Sequence, residues 1–375
     1  MNPKVVIIIL NHNGWKDTVE CLESLRQMNY DNYETILLDN GSDDNSLEMI
    51  RCYCQGRLSV DSKLPFADSS MEPVKLRFSP ADSIERMNQE ETKSDSSGNS
   101  RRLVVIRTEV NHGFVGGNNL AVKFALRHLS PDFVLLLNND TVVHPHFLAA
   151  LVRAGTSTRR VGLVQPKILS SDGSTIANVG VILSPLGFSC ERGFGEIDFG
   201  QYDGLSESGF FFAAGTCLLV GREFLMRLGC DLFDDLLFAY NEDLDLSWNA
   251  RMLGFRVLVC TSSICYHKGG RTSRSFGREK DLWLCRNTIR IFAKNYSILS
   301  VFVILPVVLL RFLTGALFTS FRERDITPLR ILSQSVIWNA AFLKDTMTRR
   351  NYVQSIRTVS DRKVMNFMSR KYLLR

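Results

Sequence analysis

The sequence predicts an α/β fold in which a mostly parallel sheet is flanked by helices and followed by a C-terminal helical region. Three observations support this. Apolar runs typical of buried strands alternate with segments of helical spacing over residues 1–150. Polar residues follow the strand ends, where parallel sheets bind their ligands. Hydrophobic residues make up 45% of the 375 residues, enough for a large core.

The first half of the chain supplies strands and helices in turn. Strands that bury both faces are predicted at residues 4–10, 33–39, 102–108 and 132–140. Helices are predicted at residues 16–28 and 116–129. The first of them has an apolar face formed by Val19, Leu22, Leu25 and Met28.

The middle of the chain continues this pattern. Two buried strands are predicted at residues 161–169 and 210–221. A helix then begins after Asn241, which we expect to be its N-cap. The run FRVLVC at residues 255–260 predicts one more strand shortly before His267.

One segment, from about residue 56 to residue 102, interrupts the alternation. It is rich in Ser, Asp, Glu and Lys, and it has too little apolar surface to offset the entropy lost on ordering. We expect a flexible, solvated insertion, with a partner-binding segment as the alternative.

Composition argues against several classes of protein. A net charge of +6 is too small to indicate nucleic-acid binding, so no nucleic-acid partner is expected. The nine cysteines have neither zinc-site nor disulfide-framework spacing, which favours free thiols in a reducing compartment. The N-terminal apolar run covers only residues 5–10 and leads directly into Asn11-His12-Asn13, which indicates a strand rather than a signal peptide.

The C-terminal part, residues 296–375, is hydrophobic and then basic. Pro306 and Arg311 interrupt the apolar residues 298–321, and the longest charge-free run has sixteen residues. A spanning helix needs about 20. Residues 341–375 carry nine Lys or Arg and two Asp, a net charge of +7. We expect an interfacial or re-entrant helix pair in peripheral contact with a membrane. The alternative is packing against residues 1–295 or against a second copy.

The triplet Asn138-Asn139-Asp140 follows the apolar run of the strand at residues 132–140. A carboxylate there is a hard oxygen ligand suited to Mg²⁺ or Mn²⁺. Such ions complete their shell with substrate phosphates and need few protein ligands. A simple turn after the strand explains the same residues equally well.

Two acidic residues and a glycine-rich stretch are further candidates. Glu242 and Asp243 follow the apolar run LLFAY, where a partly desolvated carboxylate can act as a general base. Acids in the first turn of a helix are also explained by their favourable interaction with the helix dipole, without any catalytic role. Residues 112–119, HGFVGGNN, allow backbone to approach a ligand but match no phosphate-binding fingerprint. A lone His267 is more often structural than a ligand.

In their order along the chain, these motifs resemble glycosyltransferase family 2, in particular its rhamnosyltransferase-like members with a GT-A fold. The resemblance covers roughly residues 4–295 apart from the insertion, and it implies a Rossmann-like catalytic domain at residues 1–295. The motifs are Asn11-His12-Asn13, Asp39-Asn40-Gly41-Ser42, residues 111–119, Asn138-Asn139-Asp140, Asn241-Glu242-Asp243 and His267.

The resemblance also implies roles for single residues. Asp140 and His267 would bind a divalent metal, Mg²⁺ or Mn²⁺. Asp243, with Glu242 beside it, would be the catalytic base. The first Asp of the family's Asp-x-Asp motif is Asn138 here, so Asp140 is the only carboxylate of that motif. The pocket of the nucleoside-diphosphate sugar would be lined by Asn11, Asn13, Asp39, Asn111, Gly116, Asn118, Asn138 and Asn139.

The expected reaction is an inverting, metal-dependent transfer of one sugar from this donor to a hydroxyl of a glycan or lipid-linked glycan acceptor. The Gln-x-x-Arg-Trp motif of processive synthases is absent after His267. The expected location is the cytoplasmic face of a membrane, and a homo-oligomer is left open. Two alternatives remain: transfer onto a polyprenyl phosphate, which needs no base, and a nucleotide-sugar-binding protein without turnover. Arg286-Asn287 either holds the diphosphate or contacts the core.

Overall fold

A computed structural model describes residues 2–58, 76–78, 102–229, 231–269 and 277–371. Most of the insertion predicted at residues 56–102 lies outside these described residues. The strands are β1 (Val5–Asn11), β2 (Tyr33–Asn40), β3 (Leu76–Phe78), β4 (Arg102–Thr108), β5 (Phe133–Asn138), β6 (Thr141–Val143), β7 (Val161–Ser170), β8 (Ile176–Asn178), β9 (Val181–Leu183), β10 (Ser189–Glu191), β11 (Leu205–Ser206), β12 (Cys217–Gly221) and β13 (Arg256–His267).

Helices cover the sheet and form the C-terminal region. They are α1 (Trp15–Arg26), α2 (Ser46–Cys54), α3 (Gly113–His128), α4 (Phe147–Thr156), α5 (Arg222–Leu228), α6 (Glu242–Met252), α7 (Arg278–Asn295), α8 (Ile298–Glu323), α9 (Thr327–Ala341), α10 (Leu343–Ile356) and α11 (Asp361–Met365).

The main sheet has eleven strands in the described residues. Their order is β11-β13-β7-β12-β5-β1-β2-β4-β3, with β6 beside β13 and β8 beside β7. β1 pairs in parallel with β2 and β5, β2 with β4, and β7 with β13. β12 is antiparallel to both β5 and β7, so β5 and β7 share one direction. The sheet is therefore mostly parallel, which confirms the predicted fold class.

The sequence of β1 explains its central place. Its residues alternate between the two faces of the strand, and both faces are covered. Val6 and Ile8 belong to the core that includes α3, whereas Ile7 and Ile9 belong to the core that includes α1. An aliphatic run without alternation is what such a position requires.

Most predicted elements are confirmed, and one strand is shorter than expected. The strand expected at residues 210–221 is only β12. Part of the preceding loop is fixed by side chains, since Ala214 N donates to Gln165 Oε1 at 2.7 Å and Ala213 N to Ser247 Oγ at 3.2 Å. Asn241 is the N-cap residue of α6, as expected, although its side chain makes no capping hydrogen bond.

The C-terminal helices fold back onto the rest of the chain. The predicted boundary at residue 295 falls between α7 and α8. A buried ion-pair network crosses it. Arg290 of α7 bonds to Asp234 at 2.9 Å and to Asp345 of α10 at 2.5 Å. Lys294 bridges Asp234 at 2.9 Å and Asp245 of α6 at 2.7 Å. α10 is therefore tied to the helix that carries Asp243.

Candidate active site

The parallel strands bring polar residues to one edge of the sheet. Asn11 of β1 lies opposite Asp39 of β2, and Leu10 of β1 lies opposite Asn138 of β5. Carboxyl ends of parallel strands are the usual place for a ligand. Three of the predicted site residues therefore share one edge.

Asn11 and Asp39 form the buried floor of this edge. Both are fully buried, and Asn11 Nδ2 donates to Asp39 Oδ1 at 2.7 Å. Ser42 Oγ donates to the same oxygen at 2.6 Å. Asp39 Oδ2 is buried and has no hydrogen-bond partner. Because an unsatisfied buried oxygen is costly, it fits an N–H or O–H donor of a ligand.

Asn139 joins the same network through Thr18 of α1, a residue that the sequence analysis did not single out. The Thr18 hydroxyl donates to Asn11 Oδ1 at 2.8 Å and accepts from Asn139 Nδ2 at 3.0 Å. The backbone N of Asn138 donates to the Thr216 carbonyl at 3.0 Å. Side chain and backbone thus fix the end of β5 from two sides.

Asn13 holds the loop after β2. It has a left-handed conformation with φ 52°. Its Nδ2 donates to Asp43 Oδ1 at 2.5 Å, and its Oδ1 accepts from Asp43 N at 3.1 Å. The structure thus assigns this side chain to the loop, and its contact with a nucleotide stays a prediction.

The glycine-rich stretch begins α3 and meets the loop before Asp243. Asn111 Oδ1 accepts from Asn40 Nδ2 at 3.1 Å and from Gly113 N at 2.8 Å. Gly113 has a φ of +70°, and a Cβ there would lie 2.6 Å from the Phe238 ring. Only glycine permits this close approach of α3 to the loop.

Gly116 and Asn118 lie in the first turns of α3. A Cβ at Gly116 would lie 2.9 Å from His112 Cβ. Asn118 is 2% exposed, and its Nδ2 donates to the Phe114 carbonyl one turn earlier at 2.9 Å. The structure therefore shows contacts within α3, and an approach of Asn118 to the donor stays a prediction.

Asp140 and His267 are brought together by strand pairing. β6 begins directly after Asp140 and pairs with the end of β13, so that Thr141 lies opposite His267. Asp140 Oδ2 and His267 Nε2 are 3.2 Å apart, and the two side chains are 16% and 20% exposed. Residues 127 positions apart in the sequence thus form one partly open acid–imidazole pair.

This pair fits a divalent cation that takes its remaining ligands from a substrate. No group of three or more His, Cys, Asp or Glu in the described part of the chain forms a complete metal cage. Two neighbouring ligands of Mg²⁺ in octahedral coordination are about 3 Å apart. The separation of the Asp140 and His267 atoms matches that value. One carboxylate and one imidazole suit Mn²⁺ or Mg²⁺ when a diphosphate supplies further oxygens.

Lys268 supports the pair and was missed by the sequence analysis. Its backbone N donates to the Asp140 carbonyl at 3.1 Å. Its Nζ bonds to Asp17 at 2.6 Å and also to Glu20, both in α1. Burial alone would lower the pKa of Lys268, but these two carboxylates raise it overall, so the amine stays charged. Lys268 therefore anchors the end of β13 to α1.

Asp243 lies at the start of α6, close to the end of β5. Its Oδ2 accepts from Gly215 N at 3.0 Å, and its Oδ1 accepts from Leu244 N at 2.8 Å. Gly215 is followed by Thr216, whose carbonyl accepts from Asn138 N. Residues 215–216 therefore connect the two predicted halves of the site by hydrogen bonds.

Burial decides the basicity of Asp243. The position at a helix N-terminus favours the charged carboxylate and so opposes a strong base. Burial nevertheless raises the pKa of Asp243 above its ordinary value, against the lowering effect of the Gly215 and Leu244 amides. The negative charge of Glu191 contributes to the rise. Asp243 is therefore a stronger base than an exposed aspartate.

Glu242, directly before Asp243, is the more buried of the two acids. It is 7% exposed, and its Oε2 has no hydrogen-bond partner. Burial, together with the charge of Asp243, raises its pKa as well. Two adjacent carboxyls of this kind do not ionise independently, and the charge on Asp243 opposes ionisation of Glu242.

The loop before α6 has an unusual backbone. Phe238, Tyr240 and Asn241 all have positive φ values, 60°, 67° and 65°. Such residues cluster at functional sites and persist only when their surroundings hold them. α7 provides this support, since Asn287 Nδ2 donates to the carbonyls of Leu237, Ala239 and Tyr240 at 2.8–3.0 Å.

Asn287 therefore contacts the core, which is the second of the two interpretations given for Arg286-Asn287. Asn241 Nδ2 also bonds to α7, through Thr288 Oγ1 at 3.0 Å. Trp283 of the same helix stacks on Tyr240 with centroids 6.1 Å apart and planes at 25°. The sequence alone did not single out Trp283, because its possible role depends on its contact with Tyr240, which is distant in the sequence.

Two curated proteins are similar to this chain. One is the low-salt glycan biosynthesis hexosyltransferase Agl10 of Haloferax volcanii, 23% identical over 40% of this chain and 47% of its own length. The other is the rhamnosyltransferase WbbL of Escherichia coli K12, 23% identical over 49% of this chain and 71% of its own length. The matched region thus spans about half of Agl10.

Three solved structures are similar in fold. The first is S. aureus TarS, with a TM-score of 0.45 and 16% identity over 78% of this chain and 40% of that one. The second is the mannosyltransferase PcManGT from Pyrobaculum calidifontis in complex with GDP-Man and Mn²⁺, with a TM-score of 0.48 and 14% identity over 95% of this chain and 86% of that one. The third is GalNAc-T7 with UDP, GalNAc and Mn²⁺, with a TM-score of 0.46 and 16% identity over 76% of this chain and 51% of that one.

Two family models match the chain. The model described as glycosyl transferase family 2 matches residues 6–63, which hold Asn11 and Asp39. The model described as glycosyltransferase like family 2 matches residues 87–285, which hold Asp140, Asp243 and His267. Since the second model alone covers more than half of the 375 residues, this protein belongs to glycosyltransferase family 2.

Proposed function

We propose that this protein is an inverting, metal-dependent, non-processive glycosyltransferase. It moves one sugar from a nucleoside-diphosphate donor to a hydroxyl of a glycan or lipid-linked glycan. One observation carries the proposal: the half-buried Asp243 is joined through residues 215–216 to the strand end that leads into the Asp140–His267 pair. A proton acceptor and a candidate cation site thus belong to one hydrogen-bonded unit.

The donor's nucleoside would occupy the edge formed by Asn11 and Asp39. Asp39 Oδ2 is buried without a partner, and an N–H of the base or a ribose hydroxyl would satisfy it. Thr18 and Ser42 hold Asn11 and Asp39 in place before a ligand arrives. Pre-formed hydrogen bonds of this kind reduce the ordering cost of binding.

Asp140 and His267 would hold the divalent metal. When bound, the cation would stabilise negative charge on the departing diphosphate. Lys268 would keep both ligands in register, because its amide bonds to Asp140 and its ammonium to α1. Asn138, at the position of the family's first acidic residue, leaves the protein with fewer charges to repel the diphosphate.

Asp243 would remove the proton of the acceptor hydroxyl. Amides bond to both of its oxygens and orient the carboxylate, while burial keeps its basicity high. Tyr240 lies three residues before Asp243 and stacks on Trp283 of α7. This aromatic pair offers a surface on which the acceptor could pack. The names of the two curated relatives favour a hexose or a deoxyhexose such as rhamnose as the transferred sugar.

The function is tested by release of nucleoside diphosphate. The full chain is incubated with UDP-, dTDP- and GDP-sugars and with short glycan or polyprenyl-linked acceptors, with Mn²⁺ or with a chelator. We expect release from one nucleotide class that requires both metal and acceptor. Tight donor binding without release for any acceptor would instead support a non-catalytic nucleotide-sugar-binding protein.

The raised pKa of Asp243 predicts a shifted pH profile. A base must be deprotonated to act, so kcat/KM should fall as the pH drops through the pKa of Asp243. That fall should lie above about pH 4, the ordinary value for aspartic acid. Glu191→Gln removes a negative charge that raises this pKa, so it should move the fall towards lower pH. A profile that is flat down to the ordinary carboxyl range contradicts the assignment.

The cytoplasmic face of a membrane is the proposed location. The spacing of the nine cysteines, which matches no disulfide framework, supports a reducing compartment.

A further inference from the structure

Helix α8 is apolar on both of its sides. Its inner side packs on the main core through Val308, which is fully buried, and through Ile304, Leu305 and Phe312. A helix on the surface of a protein normally turns a polar face to solvent. The outer side of α8 instead exposes Leu299 at 77%, Val303 at 70%, Leu310 at 59%, Leu317 at 50% and Phe321 at 88%.

The chain that follows α8 exposes further apolar side chains. Ile326, Ile337 and Leu343 are exposed at 56%, 68% and 55%. α9 packs against both α8 and α7, so these residues belong to a helical hairpin. We call the exposed apolar residues of α8 and of residues 326–343 the outer apolar face. Single exposed apolar residues are ordinary, whereas a continuous set of this length marks an interaction surface.

Both ends of α8 are tied to the same globular body. At its start, Ser297 N donates to Asp361 Oδ2 at 2.9 Å. After its end, Asp325 pairs with Arg278 of α7 at 2.7 Å. In the middle, Arg311 donates to the Gly187 carbonyl at 3.3 Å. The 26 residues, about 39 Å long, are therefore held near both ends and in the middle.

A helix held in this way does not cross a bilayer. Its length and composition alone would allow a span. A span, however, carries its two ends to opposite sides of the membrane, whereas both ends here contact residues of one body. An in-plane position is compatible with the tethers, because only the outer side then enters the lipid.

The charges beside the outer apolar face are mainly positive. Residues 322–344 expose four cations and one acid, namely Arg322, Arg324, Arg330, Lys344 and Glu323. Part of the basic tail is not available for this purpose. Arg350 is 6% exposed and donates to the Ala293 and Tyr296 carbonyls, and Arg357 pairs with Asp361.

We propose that the outer apolar face is an in-plane docking surface for a bilayer that contains anionic lipids. The apolar residues enter the headgroup boundary, and the four cations contact acidic headgroups. A symmetric dimer through the same face fits less well, because a two-fold axis would bring these cations together without a matching set of acids. The inference rests on α8 and α9 and does not depend on the proposed reaction.

The test is co-flotation of the full chain with vesicles. Phosphatidylcholine vesicles are compared with vesicles that also contain phosphatidylglycerol. The apolar variant is Leu299→Ser with Leu310→Ser and Phe321→Ser, all exposed and thus expected to leave the fold intact. The matched control is Phe199→Ser, which removes a phenylalanine that is 81% exposed elsewhere. Circular dichroism and thermal unfolding confirm that each variant is folded.

We expect the wild type and Phe199→Ser to float with the anionic vesicles and the apolar variant to lose binding at least tenfold. Arg322→Gln with Arg324→Gln should weaken binding about fivefold for each arginine, and only to anionic vesicles. High salt should act in the same direction. Equal flotation of the apolar variant and the wild type would overturn the proposal. A wild-type dimer in solution that the apolar variant converts to a monomer, with no flotation of either, would assign the face to a second copy. Because the readout is binding, its failure leaves the proposed reaction untouched.

Discussion

Replacement of Asp243 by Asn is expected to lower kcat/KM by about 10²–10⁴-fold. The amide keeps the size of the side chain but cannot accept the proton of the acceptor hydroxyl. The amides of Gly215 and Leu244 donate to different oxygens of Asp243, so an asparagine keeps one of these hydrogen bonds and loses the other. Neither Gly215 nor Leu244 belongs to the predicted nucleotide pocket. Nucleotide binding should therefore be unchanged, which a thermal-shift titration with the nucleoside diphosphate would check.

The matched control is Glu223→Gln in the first turn of α5. It removes an exposed carboxylate from a helix N-terminus without touching the site, so activity should not change. An Asp243→Asn variant with full activity would contradict the role of Asp243 as base. It would favour transfer onto a polyprenyl phosphate, which is already ionised and needs no base.

Replacement of Asp234 by Ala is expected to cost about 3 kcal/mol or more of unfolding free energy. Asp234 is 3% exposed and bonds to Arg290 and Lys294, which are themselves buried. The variant leaves these two cations with fewer partners in the interior. It also loosens the contact between α7 and α6, so activity should fall along with stability. Urea unfolding measures the change.

The pH dependence of this effect has a definite sign. Burial alone would raise the pKa of Asp234, but the charges of Lys294 and Arg290 hold it well below its usual range. Its contribution is thus present above the ordinary aspartic acid pKa and is lost as the pH falls through the depressed folded-state value. The control is Glu207→Gln, which breaks a half-exposed pair with Arg256 and should cost less than about 1 kcal/mol. An equal loss of unfolding free energy in both variants would show that the buried network stabilises the protein no more than a surface ion pair does.

The sequence was sufficient to predict the parallel strands of the sheet and the edge at which their polar side chains gather. β1, β2, β4 and β5 are long aliphatic runs, and their polar ends are visible because the residue type changes abruptly. Parallel pairing then puts Asn11 and Asp39 side by side, as observed. The family was identifiable for the same reason, since its motifs sit at these strand ends.

Other features depend on contacts between distant segments. Thr18 and Lys268 look ordinary in sequence, because their partners are Asn139 and the α1 acids. Asn241 is the N-cap residue of α6 as predicted, but its side chain bonds to Thr288 of α7, 47 residues later, and not to the helix it precedes. The structure was also needed to decide whether burial or the helix dipole has the larger effect on the pKa of Asp243, since burial depends on contacts between distant segments.

The most direct test of the central claim is thermal unfolding with UDP, dTDP or GDP, each with and without Mn²⁺, for the wild type and for Asp140→Ala. A ligand at a hundred times its Kd stabilises the folded protein by about 2.7 kcal/mol, which is readily seen. We expect one nucleotide to raise the Tm of the wild type, only with Mn²⁺, and to have no such effect on Asp140→Ala. No shift with any nucleotide would contradict a metal-dependent nucleotide site at these strand ends and would leave Asn138-Asn139-Asp140 as a turn.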